Sequence, residues 1–181
     1  MNISEFAKEY YADVVKATRG TGIFPEVALS QMYLESGKGE SNLSKQYNNF
    51  FGVKCGSSWA GKCVTMDTSE AGIPYKIPQK FRVYDSPYKS IRNYVEVLLA
   101  PRYANALKQT TPIAQITEIK KSGYATDPNY VSKIQPLITS FQAQIIALNS
   151  KKSNIGKVIS LSSIGIGLMA ILFYFYKKSR K

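Results

Sequence analysis

Apolar residues recur every three or four positions through most of residues 1–148, which is the spacing of one face of a helix. Capping residues, proline and glycine stand where these segments begin and end. The pattern predicts helices over residues 2–17, 25–36, 43–47, 86–100, 102–109, 112–122 and from 127 onward. The first 148 residues are therefore expected to form one mainly helical domain.

One stretch, residues 50–84, differs because glycine and proline interrupt it and its apolar residues alternate. Segments 62–66 and 80–84 have the alternation of half-buried strands, and residues 50–54 have an extended pattern. This stretch predicts a small antiparallel lobe with little regular structure. The expected fold class is α+β, mostly helical with a small antiparallel β-lobe.

The helix predicted over residues 25–36 ends in a single carboxylate, Glu35, and glycines follow at once. The partial negative charge of a helix C-terminus disfavours a second negative charge there. The apolar neighbours Met32 and Leu34 disfavour ionisation further, so the pKa of Glu35 is expected to be raised. A raised pKa suits a general acid near neutral pH, although a solvated glutamate at a helix terminus explains the same letters.

Histidine is absent from all 181 residues. Its absence excludes Ser-His-Asp and Cys-His hydrolases, and it argues against the zinc amidases and peptidases, which rely on histidine ligands. Two cysteines alone cannot complete a tetrahedral metal site, so no metal or cofactor is expected. Catalysis would have to use carboxylates, tyrosine, lysine or a hydroxyl.

A second carboxylate is available in the predicted β-lobe. Glu70 lies 35 positions after Glu35, and a helical lobe and a β-lobe that each hold one acid would face each other across a cleft. Two such carboxylates are the usual requirement for glycoside hydrolysis. Asp67 is the alternative to Glu70. Among the aromatic residues of the lobe, Trp59 is either a sugar-stacking residue or a packing residue of the hairpin.

Six short motifs follow one another in a fixed order along the chain. They are LESGxGxS at 34–41, NNFFGVK at 48–54, WxGK at 59–62, FRxYxS at 81–86, RY at 102–103 and GYATDPxY at 123–130. Over residues 20–145 this order resembles the glucosaminidase domain of glycoside hydrolase family 73, which occurs in bacterial and phage peptidoglycan hydrolases. The resemblance implies a lysozyme-like fold and cleavage of the β-1,4 bond after N-acetylglucosamine in peptidoglycan.

The resemblance also implies roles for individual residues. It makes Glu35 the general acid, Glu70 the second carboxylate and Tyr124 a helper tyrosine. Four further residues are expected to contact the substrate, and these are Asn49, Trp59, Tyr84 and Tyr130. Two mechanisms stay open: Glu70 activates water, or the acetamido group of the substrate attacks while Tyr124 and Glu70 stabilise the intermediate.

Cys55 and Cys63 flank a short turn that contains two glycines. A disulfide between them is expected if the protein meets an oxidising compartment. Two reduced thiols are nearly as consistent with the sequence, because the amino terminus shows no export signal.

The carboxyl-terminal segment predicts a membrane anchor. Residues 149–157 form a polar, basic linker, and residues 158–176 are 19 residues without a charge. As a helix these 19 residues span about 28 Å, the thickness of a bilayer core. Two tyrosines end the segment, and the basic tail 177–181 follows, as is typical of a lipid interface.

The net charge of +12 is unevenly distributed. Residues 151–181 hold seven basic residues and no acid, which leaves 17 basic and 12 acidic residues, a net charge of +5, in residues 1–150. Nucleic acid is therefore not an expected partner. The expected partners are peptidoglycan glycan strands and, through residues 158–176, a lipid bilayer.

The expected location is a single-pass membrane protein in a phage virion, which would deliver the enzyme to the cell wall during entry. The bacterial inner membrane is the alternative. Two other functions stay open: a lytic transglycosylase or muramidase on the same fold, and a catalytically silent wall-binding module.

Overall fold

The computed structural model describes residues 1–68 and 76–150. Within these ranges the chain forms helices and a two-stranded antiparallel sheet. In chain order the elements are α1 Ile3–Thr18, α2 Pro25–Glu35, α3 Asn42–Tyr47, β1 Cys63–Thr68, β2 Ile77–Arg82, α4 Pro87–Leu98, a 3-10 turn Pro101–Tyr103, α5 Ala104–Leu107, α6 Pro112–Lys121 and α7, which begins at residue 130. The predicted mainly helical α+β class is confirmed.

The chain divides into two compact units, which are Met1–Gln144 and Ile145–Lys181. Helix α7 occupies residues 130–144 of the first unit. In the second unit the described residues are 145–150, and they are helical.

Local capping signals explain where the helices begin. The side chain of Asn2 accepts a hydrogen bond from the backbone N–H of Glu5 at 3.0 Å, and the Glu5 carboxylate accepts one from the Asn2 backbone N–H at 3.0 Å. This capping box starts α1. Helices α2, α4 and α6 each have proline in their first turn, where the missing N–H needs no partner.

Several predicted segments differ from the structure. The segment 102–109 is a 3-10 turn followed by a helix of four residues, not one helix. The last helix begins at residue 130, because Asp127 closes a turn in which its side chain and its backbone carbonyl accept from the N–H groups of Asn129 and Tyr130. Residues 50–54 form a turn and one isolated bridge, between Lys54 and Phe81.

The sheet pairs β1 with β2 in antiparallel register, with Cys63 opposite Arg82 and Thr68 opposite Ile77. β2 begins three residues before the predicted strand and includes Pro78. Proline is tolerated there because an edge strand does not need every N–H for the ladder.

The core is built around α2, in which seven consecutive residues from Val27 to Tyr33 are buried. A helix that is buried on every side is surrounded by other elements rather than lying on a surface. Phe6 of α1 packs against Tyr33, with ring centroids 5.1 Å apart, and Phe141 of α7 packs against the same tyrosine at 5.7 Å. Glu35 is the residue at which this central helix ends.

The remaining predicted segments lie outside the described residues. These are residues 69–75, which include Glu70, and residues 151–181, which include most of the predicted linker and all of the predicted transmembrane helix and basic tail. Residues 149 and 150, the first two of the predicted linker, are helical. Among the helices of residues 1–68 and 76–150, none has the length and apolar character needed to cross a bilayer.

Candidate active site

Glu35 opens into a cleft of about 670 Å³ whose wall is rich in aromatic rings. The cleft lies where α2 ends, and α4, the 3-10 turn, the segment before α7 and α7 itself complete it. Phe51, Tyr94, Tyr124 and Tyr130 line it together with Glu35. An open cleft with aromatic walls and one acid at its base can accommodate a polysaccharide strand.

A chain of side-chain hydrogen bonds ends on Glu35, and we call it the tyrosine–glutamine relay. Tyr130 donates from its hydroxyl to Oε1 of Glu35 at 2.8 Å. The Nε2 of Gln31 donates to the Tyr130 hydroxyl oxygen at 2.9 Å. The hydroxyl of Tyr94 donates to Oε1 of Gln31 at 2.6 Å. Gln31, Tyr94 and Tyr130 are all buried, so these bonds are shielded from water.

The direction of the relay follows from its two ends. An ionised carboxylate only accepts hydrogen bonds, so Tyr130 must use its single proton on Glu35. The other partner of the Tyr130 oxygen must therefore donate, and the amide nitrogen of Gln31 does so. Every donor in the relay thus points toward Glu35, and buried bonds aligned in this way polarise one another.

The environment raises the pKa of Glu35 above its ordinary value. Removal of bulk water from the carboxyl group is the larger cause, and the hydrogen bond from Tyr130 opposes it by stabilising the charged form. Glu35 is still exposed, because one side of its carboxyl faces the open cleft while protein surrounds the others. The predicted direction of the shift is confirmed, but the opposing bond from Tyr130 was not expected from the sequence.

Tyr124 lies among three other rings of the cleft. Its ring centroid is 6.3 Å from that of Tyr94, 6.4 Å from Tyr103 and 6.0 Å from Tyr130. Burial raises the pKa of the Tyr124 hydroxyl well above 10. Tyr124 therefore keeps its proton at neutral pH and presents a half-buried phenol at the cleft wall.

Comparison with known proteins identifies the kind of domain. The glucosaminidase family model, described as mannosyl-glycoprotein endo-beta-N-acetylglucosaminidase, matches residues 11–143. The chain belongs to the glucosaminidase family. Its sequence is 34% identical over 134 residues to the peptidoglycan hydrolase FlgJ of Salmonella typhimurium, and this match covers 70% of this chain and 42% of FlgJ. It is 32% identical over 127 residues to the exo-glucosaminidase LytG of Bacillus subtilis, covering 66% of this chain and 44% of LytG.

The solved glycoside hydrolase domain of S. typhimurium FlgJ has the same fold. The two superpose with a TM-score of 0.70 at 30% identity, covering 84% of this chain and 96% of that domain. A peptidoglycan hydrolase from Sphingomonas sp. A1 is similar, with a TM-score of 0.69 at 28% identity over 80% of this chain and 94% of that one. The glycoside hydrolase fold implied by the sequence motifs is confirmed. The chain spans less than half the length of these curated relatives.

Tyr130 of this glucosaminidase domain has a different position from the one expected. As a predicted substrate contact it would present its hydroxyl to the cleft, but the side chain is only 4% exposed and the hydroxyl is engaged by Glu35 and Gln31. Gln31 and Tyr94 were not predicted as site residues at all. The available signal was Gln31 itself, a polar residue one helical turn before Glu35 and next to the apolar Met32.

The side chain of Asn49 forms hydrogen bonds to backbone groups of the protein. Its Nδ2 donates to the backbone carbonyls of Val53 and Arg82, each at 2.9 Å, and its Oδ1 accepts from the Val53 N–H at 3.0 Å. Both amide hydrogens are therefore used, and the residue is 1% exposed. Asn49 positions the segment that carries Val53 to the cleft wall but does not offer its amide to a sugar.

Trp59 and Tyr84 lie in the hairpin lobe and are not among the residues that line the Glu35 cleft. The Trp59 Nε1 donates to the Lys62 carbonyl at 3.1 Å, its ring centroid is 5.6 Å from that of Tyr84, and the Arg82 guanidinium lies 4.5 Å above it. A Cβ on Gly61 would come within 2.4 Å of the indole, so glycine is needed there. These contacts give Trp59 a packing role in the hairpin, and its role in sugar stacking stays a prediction.

The hydroxyl of Tyr84 is also engaged, since it donates to the Oδ1 of Asn93 at 2.6 Å and the side chain is 6% exposed.

Cys55 and Cys63 form a disulfide that closes the loop carrying Trp59, with their Cα atoms 6.4 Å apart. Asp67, the alternative second carboxylate, is exposed on β1. Within residues 1–68 and 76–150, no group of three or more cysteine, aspartate or glutamate side chains could hold a metal ion.

Proposed function

We propose that this glucosaminidase domain is a peptidoglycan hydrolase that cleaves the β-1,4 bond after N-acetylglucosamine, with Glu35 as its general acid. The observation that carries the proposal is the carboxyl of Glu35, exposed to an aromatic cleft and hydrogen-bonded by buried Tyr130. The peptidoglycan hydrolase FlgJ and the exo-glucosaminidase LytG support the choice of substrate and bond.

The chemistry follows from the pKa of Glu35. Burial raises the pKa of Glu35 and so favours its protonated form, which can deliver a proton to the leaving glycosidic oxygen. Proton transfer leaves a carboxylate, and the Tyr130 hydroxyl already points at it. This preorganised donor stabilises the charge that develops on Glu35 in the transition state.

The second half of the reaction uses either of two groups. In the first version Glu70 activates a water molecule, which requires the two carboxyl groups to stand about 6.5–9.5 Å apart and gives inversion. In the second version the acetamido oxygen of the substrate attacks the sugar, while Tyr124 and Glu70 stabilise the intermediate. The protonated phenol of Tyr124 on the cleft wall supports the second version. Loss of activity on de-acetylated glycan is expected only in that version.

The decisive experiment is Glu35→Gln. The variant keeps a similar shape but cannot donate a proton, so it should lose all clearing of a peptidoglycan zymogram while its circular dichroism and melting temperature stay those of a folded domain. Glu118→Gln is the matched control, since Glu118 pairs with Lys121 on the surface and should keep full activity. Clearing by the Glu35 variant would contradict the role of Glu35.

Product analysis separates the alternatives on this fold. Mass spectrometry of the digest should find reducing-end N-acetylglucosamine. Reducing-end muramic acid would indicate a muramidase, anhydro-muramic ends would indicate a lytic transglycosylase, and binding without any cleavage would indicate a silent wall-binding module.

We also propose that residues 158–176 anchor the enzyme in a lipid bilayer. The support is their 19 uncharged residues, followed by four basic residues in the tail. The full chain should stay in the membrane fraction at alkaline pH, whereas a chain ending at residue 150 should be released. We propose that this bilayer is the membrane of a phage virion. Detection of the protein in purified particles would support that location, and detection in envelopes of uninfected bacteria would indicate the inner membrane instead.

A further inference from the structure

Arg102 lies on the cleft wall, and its side chain is exposed. It lies in the 3-10 turn Pro101–Tyr103, and the turn begins with a proline that restricts the backbone. Its guanidinium carbon is 4.6 Å from the centroid of the Tyr103 ring. Arg102 is exposed, Tyr103 is fully buried, and both residues line the cleft of Glu35.

Tyr103 contributes its ring to this arrangement and not its hydroxyl. The hydroxyl is buried and has no hydrogen-bond partner within the described part of the chain. At this distance the guanidinium and the ring make a cation–π contact, which uses the positive charge of Arg102 and none of its N–H groups. Its N–H groups lie in the plane of the guanidinium and stay available, in the fork that matches a carboxylate with two parallel hydrogen bonds.

The charges around Arg102 favour an anionic ligand. Of the charged side chains lining the cleft, Asp127 and Lys133 pair with each other at 2.6 Å. Glu35, the other acid that lines the cleft, is engaged by the Tyr130 hydroxyl. Among residues 1–68 and 76–150, no acidic side chain lies within salt-bridge distance of Arg102. A carboxylate entering the cleft therefore meets a prearranged partner.

The position of Arg102 relative to Glu35 is set by a series of contacts. Tyr103, under the guanidinium, has its ring 6.4 Å from Tyr124, and Tyr124 lies 6.0 Å from Tyr130, which bonds Glu35. Arg102 and the proton donor therefore line the same cleft, with the rings of Tyr103, Tyr124 and Tyr130 between them. Peptidoglycan carries acidic peptide stems on alternate sugars, so a strand bound along the cleft brings stem carboxylates to this wall.

We propose that Arg102 binds a carboxylate of the peptide stem and makes the enzyme prefer glycan strands that carry stems over bare strands. This inference rests on the proposed peptidoglycan hydrolase activity and names a specificity-determining residue for it. Arg102 holds the stem and takes no part in proton transfer, so its effect should appear in KM rather than in kcat.

The test compares two soluble substrates: uncross-linked glycan strands with peptides, and the same strands after an amidase has removed the peptides and the lactyl carboxylates left by that hydrolysis have been capped as neutral amides. Arg102→Gln should raise KM on the stem-bearing strands about tenfold, the effect of losing one charged hydrogen-bonded contact, with kcat unchanged. On bare strands the variant should equal the wild type. Arg102→Lys should fall between, because an ammonium cannot form the two-bond fork.

Arg92→Gln is the matched control, because Arg92 is an exposed arginine of α4 that does not line the cleft. It should leave both KM values unchanged. An equal rise of KM for Arg102→Gln on both substrates, or no rise on either, would overturn the inference while glycosidic cleavage by the wild type still upheld the proposed function. If the wild type cleaves neither substrate, the proposed function fails. In that case co-sedimentation tests Arg102 directly. Arg102→Gln should bind intact walls more weakly than the wild type does, and both proteins should bind stem-free walls equally.

Discussion

The tyrosine–glutamine relay and the hairpin lobe, residues 55–68 and 76–84, contain the same kinds of side chain and use them in different ways. In the relay, buried polar groups bond to one another and end on a carboxylate that faces the cleft. In the hairpin lobe, Trp59 bonds to a backbone carbonyl and packs on Tyr84 and Arg82, while a disulfide closes the loop. Similar aromatic side chains thus surround a carboxyl group in one region and stabilise a hairpin in the other.

The two regions contribute to the free energy of the protein in different ways. A buried polar group must be hydrogen-bonded, and a chain of such groups is worth more than isolated pairs because each bond polarises the next. Packing of a partly exposed indole on a short hairpin contributes local stability and no preorganisation around Glu35. Substitutions in the relay should consequently alter catalysis, whereas those in the hairpin should alter stability.

The largest effect is expected for Tyr130→Phe. It removes the donor that faces Glu35 at 2.8 Å, and loss of a charge-assisted bond should lower kcat by about 10- to 100-fold. That bond lowers the pKa of Glu35, so its loss should raise the pKa further. Protonated Glu35 would then persist to higher pH, and the alkaline limb of the pH–rate profile should move upward.

Tyr33→Phe is the control for this measurement. Tyr33 is a buried tyrosine of α2, the helix that ends at Glu35, and its hydroxyl donates to the Met1 carbonyl at 3.1 Å, outside the cleft. Its removal should leave the pH–rate profile in place. A profile unmoved by Tyr130→Phe would show that the relay does not set the acidity of Glu35.

A smaller effect is expected for Gln31→Leu. The substitution leaves the Tyr94 hydroxyl buried without its partner and removes the donor to Tyr130, so it should cost about 1–3 kcal/mol of unfolding free energy. The fall in kcat should be less than that of Tyr130→Phe, because Tyr130 still reaches Glu35.

A double variant sharpens this result. Adding Tyr94→Phe to Gln31→Leu removes the stranded hydroxyl, so chemical denaturation should find part of the lost stability restored. Strictly additive losses would indicate that Gln31 and Tyr94 are not coupled.

In the hairpin lobe, replacing Cys55 and Cys63 by serine should reduce stability and leave kcat nearly unchanged. The disulfide closes a short loop, so its loss should lower the unfolding free energy by about 2 kcal/mol. Thermal melting and turnover on soluble glycan measure the two quantities. A collapse of kcat with a normal melting temperature would place the lobe in the catalytic machinery after all.

The smallest effect on activity is expected for Trp59→Ala. The indole lies outside the Glu35 cleft, so KM for glycan should not change, while the melting temperature should fall slightly because packing on Tyr84 is lost. A raised KM without a change in melting temperature would restore Trp59 to the sugar-binding surface.

Several features were predictable because their causes are local. The helix starts follow from capping side chains and from prolines in the first turn, which act within three or four residues. The raised pKa of Glu35 was also predictable, since its place at the end of an apolar helix is visible in the letters. The start of β2 was missed because Pro78 indicates a break, although an edge strand accepts it.

What the amino-acid sequence determined by itself is the mainly helical α+β class, the family and the choice of Glu35 as the candidate acid. The tertiary structure alone decided which side chains serve that acid. Tyr130 reaches Glu35 across 95 positions and Gln31 reaches Tyr94 across 63, and no periodic pattern records contacts at such separations. For the same reason Asn49, Trp59 and Tyr84 resemble ligand contacts in sequence: whether a polar side chain faces a cleft or a backbone carbonyl depends on the packing of distant segments, not on its neighbours along the chain.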